Sequence, residues 1–216
     1  MRHLAILLAV AGTAACGAHG STAVSRSFHH EQRLRDAVVY IRECGTGWLV
    51  SESYVVTNAH VIACLYQRNH RAATIDFSNG TQMQATFAGA SNEPYVDLAL
   101  LRLEGTVESP VLRIDPDAGV KEDSLLISMG NPTPVTWMPT TYRVVKQPEH
   151  VEGGLDKVLI LEGLALHGNS GSPVIDLQGR VVGTIFARAP GYAYAIPVQP
   201  YLVTLLRSVA PRRTWP

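Results

Sequence analysis

No charge of either sign predominates in this chain of 216 residues: 18 Lys and Arg balance 18 Asp and Glu, and the formal net charge is zero. A neutral chain projects no broad field toward nucleic acid or an anionic membrane, so partners must be chosen by local pockets. No apolar stretch approaches the roughly 20 residues that a membrane-spanning helix needs. Internal repeats and low-complexity blocks are missing. His29, His30, His70 and His150 lack a spaced set of partners that would argue a zinc site, and neither a metal nor an organic cofactor is expected. Cysteine is scarce too, with three in the whole chain.

What is present begins with an export pattern. Met1-Arg2-His3 precedes an apolar run, Leu4 to Ala11, and small residues continue to Gly20, which is the layout of a secretory signal over residues 1–20. Thr13-Ala-Ala-Cys16 resembles the bacterial lipoprotein box, in which the cysteine becomes a lipidated N-terminus; Thr13 departs from the usual Leu, leaving ordinary cleavage at Ala15-Cys-Gly17 or Ala18-His-Gly20 as the alternative. A lipid on Cys16 would tether the chain to a membrane in the cell envelope or periplasm, and simple cleavage would secrete it. Without Cys16, two cysteines remain, Cys44 and Cys64, on either side of His60. In an oxidising compartment they are expected to form a disulfide, worth about 3 kcal/mol if unstrained, against the alternative of two buried thiols.

An apolar content of 46% suits a globular protein, and the length suits one compact unit or two small barrels. From Val38 onward short apolar runs alternate with turn residues, a pattern of all-β structure rather than of βαβ units. The first set is Val38–Ile41, Gly47–Val50, Tyr54–Thr57, Ala73–Phe77, Gln82–Phe87 and Leu98–Leu103. A second set is Ser124–Met129, Tyr142–Lys146, Lys157–Glu162, Val174–Leu177, Arg180–Ala187 and Ala193–Ile196. Asn79-Gly80 predicts a hairpin with a type I′ turn. Glu104–Lys121 reads as a linker, dividing the chain near residue 110. After Pro197 the apolar period becomes helical, predicting a terminal helix with Pro200 in its first turn.

Three strings carry the chemistry. Thr57-Asn-Ala-His60 places an imidazole at the end of an extended run, Asp97-Leu-Ala-Leu100 opens a buried strand with a carboxylate, and Gly168-Asn-Ser-Gly-Ser-Pro173 sets Ser170 in a glycine-rich turn. A serine hydroxyl is a weak nucleophile; it needs an imidazole to take its proton and a carboxylate to fix the imidazole tautomer. Each string alone has an ordinary structural reading, as a hydrogen-bonding histidine, a turn aspartate or a plain loop. Together they propose His60, Asp97 and Ser170 as catalytic residues, with the N–H groups of Gly168 and Ser170 as an oxyanion hole.

In this order the strings resemble the chymotrypsin-fold serine peptidases, and among them the bacterial HtrA-type and glutamyl-endopeptidase-like branches, over about Cys44 to Pro197. The resemblance implies two antiparallel six-stranded β-barrels with the active site between them and a C-terminal α-helix. The protease domain would span residues 28–210, with the first barrel over 36–107, the second over 120–197 and the helix over 198–210. It implies a serine endopeptidase acting on protein or peptide substrates through an acyl-enzyme. HtrA-type proteins usually add a PDZ domain and a trimerising region; the chain ends soon after the protease-like part, so neither a chaperone role nor a caged oligomer is expected.

Departures from the family pattern bear on specificity. Asn169 stands where the animal digestive enzymes carry an Asp that receives a freshly cut N-terminus, so no activation of that type is expected. Leu164 occupies the place of the acid that binds Lys or Arg, and Ala165 and Ile185 occupy those of the Thr and His that bind acidic residues. With Ala193 or Tyr194, these residues imply a pocket for small or medium apolar side chains. The rival reading is a catalytically inactive protease-fold protein that binds or scaffolds. An α/β-hydrolase esterase is excluded by the order His, Asp, Ser.

Overall fold

The computed structural model describes residues 31–116, 119–133, 136–149 and 157–209; the export pattern, Cys16 and the C-terminal tail lie outside them. Strands here are apolar on both faces. All four residues of β1 (Val38–Ile41) and all seven of β2 (Gly45–Ser51) are buried. Successive side chains of a strand point to opposite faces, so such runs need cover on both sides. Val39, Ile41, Leu49, Val55 and Leu101 fill the interior of one barrel. Their neighbours Val38, Trp48, Val50, Val56 and Leu100 enter a layer shared with Met129, Val158 and Ile196 of the second half. The alternation therefore builds two layers from one sheet.

The first barrel closes in the order β1-β2-β3-β6-β5-β4, with β3 at Tyr54–Thr57, β4 at Ala73–Asp76, β5 at Gln82–Ala90 and β6 at Ala99–Leu103. Arg42 braces the β1–β4 seam with two hydrogen bonds to Asp76, at 3.1 and 2.6 Å. After a two-residue β7 (Arg113–Ile114) come β8 (Leu125–Thr133), β9 (Thr136–Glu149), β10 (Val158–Glu162), β11 (Pro173–Ile175), β12 (Arg180–Ala189) and β13 (Tyr192–Pro197). These pair as β11-β8-β9-β10-β13-β12, and a β11–β12 pairing closes the second antiparallel barrel. The fold is thus the two-barrel, chymotrypsin-like one that the resemblance implies.

Three local expectations need correction, and one further element is not anticipated by them. The stretch 104–121 is not a bare linker: β7 pairs in parallel with β12, because Leu112 and Ile114 bury their side chains and Arg180 of β12 binds Asp115 at 2.9 Å. The Asn79-Gly80 hairpin forms, but its turn is not type I′. Gly80 alone has positive φ there (84°), its N–H reaches the Phe77 carbonyl at 3.0 Å, and Asn79 caps the Thr81 N–H at 2.9 Å. That is a three-residue loop with glycine in its left-handed position. The terminal helix is shorter than 198–210. Gln199 is extended (φ −99°, ψ 134°), and regular α-helix covers Val203–Val209. Finally, residues 31–37 form a helix, α1, with Leu34 and Ala37 buried against the shared layer. The terminal helix, α3, packs back on the first barrel: a Cβ on Gly89 of β5 would lie 2.5 Å from Val209.

Between β3 and β4 lies α2 (Ala59–Gln67), which buries Val61, Ile62 and Leu65 and carries His60 in its first turn. Cys64 in this helix is bonded to Cys44, just before β2, across a sequence separation of 20. The bridge straps the helix to the strand. Replacing both cysteines by serine should lower the unfolding free energy by about 3 kcal/mol, measured by urea titration. Equal stability of oxidised wild type and double variant would remove the bridge as a source of stability.

Candidate active site

The structure brings His60 and Asp97 together. The Asp97 carboxylate makes two bonds to one residue: one oxygen accepts the His60 backbone N–H at 2.8 Å and the other meets the imidazole Nδ1. The first of these serves the helix. The first N–H groups of a helix have no partner within it, and Asn58 at the N-cap makes no side-chain cap. Asp97 takes that place from outside, and its negative charge sits at the positive end of α2. Asn58 instead donates its side-chain amide to the Asp97 carbonyl at 2.7 Å, fixing the backbone that carries the acid. With Nδ1 held as a donor, Nε2 is left as the basic nitrogen, on a side chain that is 46% exposed.

Ser170 lies on the other barrel, in the turn between Leu166 and β11. Several bonds hold this turn from beneath: Gly171 N–H to the Ile185 carbonyl at 2.8 Å, Ile185 N–H to the Ser172 carbonyl at 2.9 Å and Ser172 N–H to the Asn169 carbonyl at 3.0 Å. Gly168 and Gly171 both have left-handed φ, 89° and 88°. At Gly171 no other residue fits, since a Cβ would stand 1.9 Å from the Thr46 carbonyl oxygen. Among the described residues, neither the Gly168 nor the Ser170 N–H has a backbone acceptor. The Ser170 hydroxyl is not hydrogen-bonded to His60 in this structure, so the imidazole–carboxylate half of the constellation is assembled and the hydroxyl–imidazole half is not.

Thr46, which the sequence reading passed over, joins the two halves. It is fully buried at the start of β2. Its N–H donates to the Ser170 carbonyl at 2.9 Å, its hydroxyl donates to the Gly168 carbonyl at 2.6 Å and accepts the Asn131 N–H at 2.9 Å. Its own carbonyl accepts the Thr57 hydroxyl at 2.8 Å. Every polar atom of the residue is used. The signal for it was Gly45-Thr-Gly47, two glycines flanking a polar residue inside an apolar strand: a Cβ on Gly45 would lie 2.9 Å from Val61 of α2 and 3.0 Å from the Ser170 carbonyl.

Beside Ser170 opens a cleft lined by Ala165, Leu166, His167, Ile185, Phe186, Ala187 and Arg188. Ala165 and Ile185 are therefore where they were expected. Leu164 is not: its side chain is 59% exposed, and its carbonyl is held by the Tyr142 hydroxyl at 2.8 Å. Burial pushes the Tyr142 phenol up to about 12, so it stays protonated and keeps donating at neutral pH. Ala193 is buried in the second barrel and Tyr194 packs on the shared layer, both outside the cleft. Asn169, beside the nucleophile, is 2% exposed, so the place of the family's Asp is filled by a neutral, buried amide. His167 and Arg188, which the reading missed, meet across the mouth at 2.6 Å.

The profile of the trypsin-like peptidase domain matches residues 45–183. Serine protease HTR4 of Rattus norvegicus is 31% identical over 162 residues, 71% of this chain and 31% of that protein. A DegP-like periplasmic serine endoprotease of Brucella suis is 31% identical over 71% of this chain and 30% of its own length. The chain thus spans about a third of the curated relatives that it matches. Among solved structures, Deg5 superimposes with a TM-score of 0.70 at 24% identity, covering 84% of this chain and 92% of that one. The Rv3671c protease of M. tuberculosis H37Rv, in an inactive form, gives 0.68 at 24% identity, covering 84% and 93%.

If Thr46 positions the turn, Thr46→Val, which keeps the shape and removes the hydroxyl, should slow labelling of Ser170 by a fluorophosphonate by about 100-fold. Thr46→Ser, which restores the hydroxyl, should recover most of that rate. Equal labelling of the valine variant and wild type would deny Thr46 the role.

Proposed function

Because the chain belongs to the trypsin-like peptidase family, we propose that it is an exported serine endopeptidase that cuts peptide bonds after small or medium apolar residues, with His60, Asp97 and Ser170 as its catalytic residues. His60 Nε2 takes the Ser170 proton as the oxygen attacks the peptide carbonyl, and the N–H groups of Gly168 and Ser170 hold the negative charge that develops. The imidazolium passes its proton to the leaving amine. Water then attacks the acyl-enzyme with His60 again as base, returning Ser170 to its hydroxyl. The observation that carries this reading is the imidazole fixed by Asp97 at both backbone and ring. The two N–H groups without a backbone acceptor fit an oxyanion hole.

The Ser170–His60 hydrogen bond belongs to the substrate-bound state in this reading, since catalytic bonds commonly tighten only when substrate docks. Its absence at rest is also what a protease-fold binding protein would show, which keeps that second reading in view. Ala165, Leu166, Ile185 and Phe186 support the apolar preference, as an apolar wall offers no counter-charge to a basic side chain. Export is supported by the pattern of residues 1–20, with Cys16 as the candidate lipid anchor. It is in keeping with the periplasmic DegP-like relatives.

A fluorophosphonate probe should label the wild-type protein and fail to label Ser170→Ala and His60→Ala, while Asp97→Asn should lose about 10⁴-fold in kcat. No labelling of the wild type would favour the binding protein. Digestion of a peptide library should show cuts after Ala, Val and residues of similar size; dominant cleavage after Arg or Lys would contradict the apolar pocket.

A further inference from the structure

The cleft beside Ser170 has an apolar floor and a charged rim. Arg188 stands on β12, His167 stands just before Gly168, and the two meet over the opening. A guanidinium has only donors and never loses its charge in this pH range. Across the 2.6 Å contact the guanidinium is therefore the donor and His167 Nε2 the acceptor. Arg188 thus keeps its whole positive charge. Among the described residues no carboxylate lies within ion-pair distance of it, whereas Arg42, Arg68 and Arg180 each have one. A cation whose partner is a displaceable ring nitrogen is available to an anion.

The sheet says where that anion must be. Along one edge β12 pairs with β13 from Gly183 to Ala189. Along the other it pairs with β11 only as far as Thr184, and the Ile185 N–H and carbonyl are taken by the Ser170 turn. Beyond that point no strand covers this edge among the described residues, so Phe186 to Ala189 offer a backbone edge that starts beside Ser170. An extended peptide can add to such an edge as one more strand. Its side chains alternate, so the residue that fills the cleft and the one two positions before it point to the same side. Set with the first beside Phe186, such a strand brings the second opposite Arg188.

We propose that Arg188 selects peptides with an acidic side chain at the second residue before the one that fills the apolar cleft. This rests on the peptidase reading of the same cleft and adds a substrate class to it: a small apolar residue at the cut, preceded two places earlier by Asp or Glu. The incoming carboxylate takes the guanidinium in a two-pronged contact and releases His167. Arg188 is exposed, so the effect is modest and sensitive to salt.

The test compares peptides that differ only by Glu or Gln at that position. In wild type, kcat/KM for the Glu peptide should exceed that for the Gln peptide by about three- to fivefold at low salt. The ratio should fall toward one in Arg188→Gln and below one in Arg188→Glu. Moving the Glu to each neighbouring position should lose the preference. A wild-type ratio of one, a ratio that persists in Arg188→Gln, or a preference that sits at another position would overturn the proposal. The same ratio is to be read as Kd with Ser170→Ala protein, which binds without cutting. If the wild type hydrolyses neither peptide, the peptidase reading fails, and the Kd ratio still decides the role of Arg188.

Discussion

The arrangement depends on one buried threonine. Thr46 has no water to turn to, so every polar atom it carries must find a partner within the protein or cost a few kcal/mol. The partners it finds are the carbonyls of Gly168 and Ser170, the N–H of Asn131 and the hydroxyl of Thr57. Two of these belong to the turn that bears Ser170, and Asn131 to the strand beneath it, so the demand for hydrogen bonds in the first barrel dictates the backbone of the second. Gly171 completes the fit by removing the one side chain that would collide with the Thr46 carbonyl. The position of Ser170 is thereby referred to the barrel that carries His60.

On the base side the logic is similar. Asp97 satisfies a helix N-terminus, and the same carboxylate fixes the imidazole, so the folding of α2 and the orientation of His60 are one event. The disulfide from Cys64 to Cys44 ties that helix to the strand that leads into Thr46. The turn that bears Ser170 is held by hydrogen bonds to Thr46 of β2, and the helix that bears His60 is held by the disulfide to the residue just before β2.

Much of this was legible beforehand, for stated reasons. Twelve of the thirteen strands show in the sequence because runs rich in apolar residues are separated by turn residues, and the two-residue β7 is too short to show. His60, Asp97 and Ser170 show because the chemistry needs those side chains and the strings around them are distinctive. Other features did not show because they depend on distant partners. Thr46 meets Gly168 across 122 residues, and nothing in Gly-Thr-Gly names that contact. Leu164 is exposed and does not line the cleft, and the Tyr142 hydroxyl that holds its carbonyl comes from 22 residues away. The turn at Asn79-Gly80 was misassigned because that dipeptide serves both the two-residue and the three-residue hairpin. Arg188 did not show because its partner, His167, lies 21 residues away in the sequence.

The segment that joins the barrels is fastened along its length. Val107 N–H binds the Glu52 carbonyl at 3.0 Å and Leu112 N–H binds that of Leu49 at 3.0 Å, both in or beside β2. Two residues later the same segment is zipped to β12 and clamped by Arg180. From the opposite side Trp137 of β9 donates to the Val38 carbonyl of β1 at 3.0 Å. Any swing of one barrel against the other would have to break these bonds as well as open the apolar layer that the barrels share.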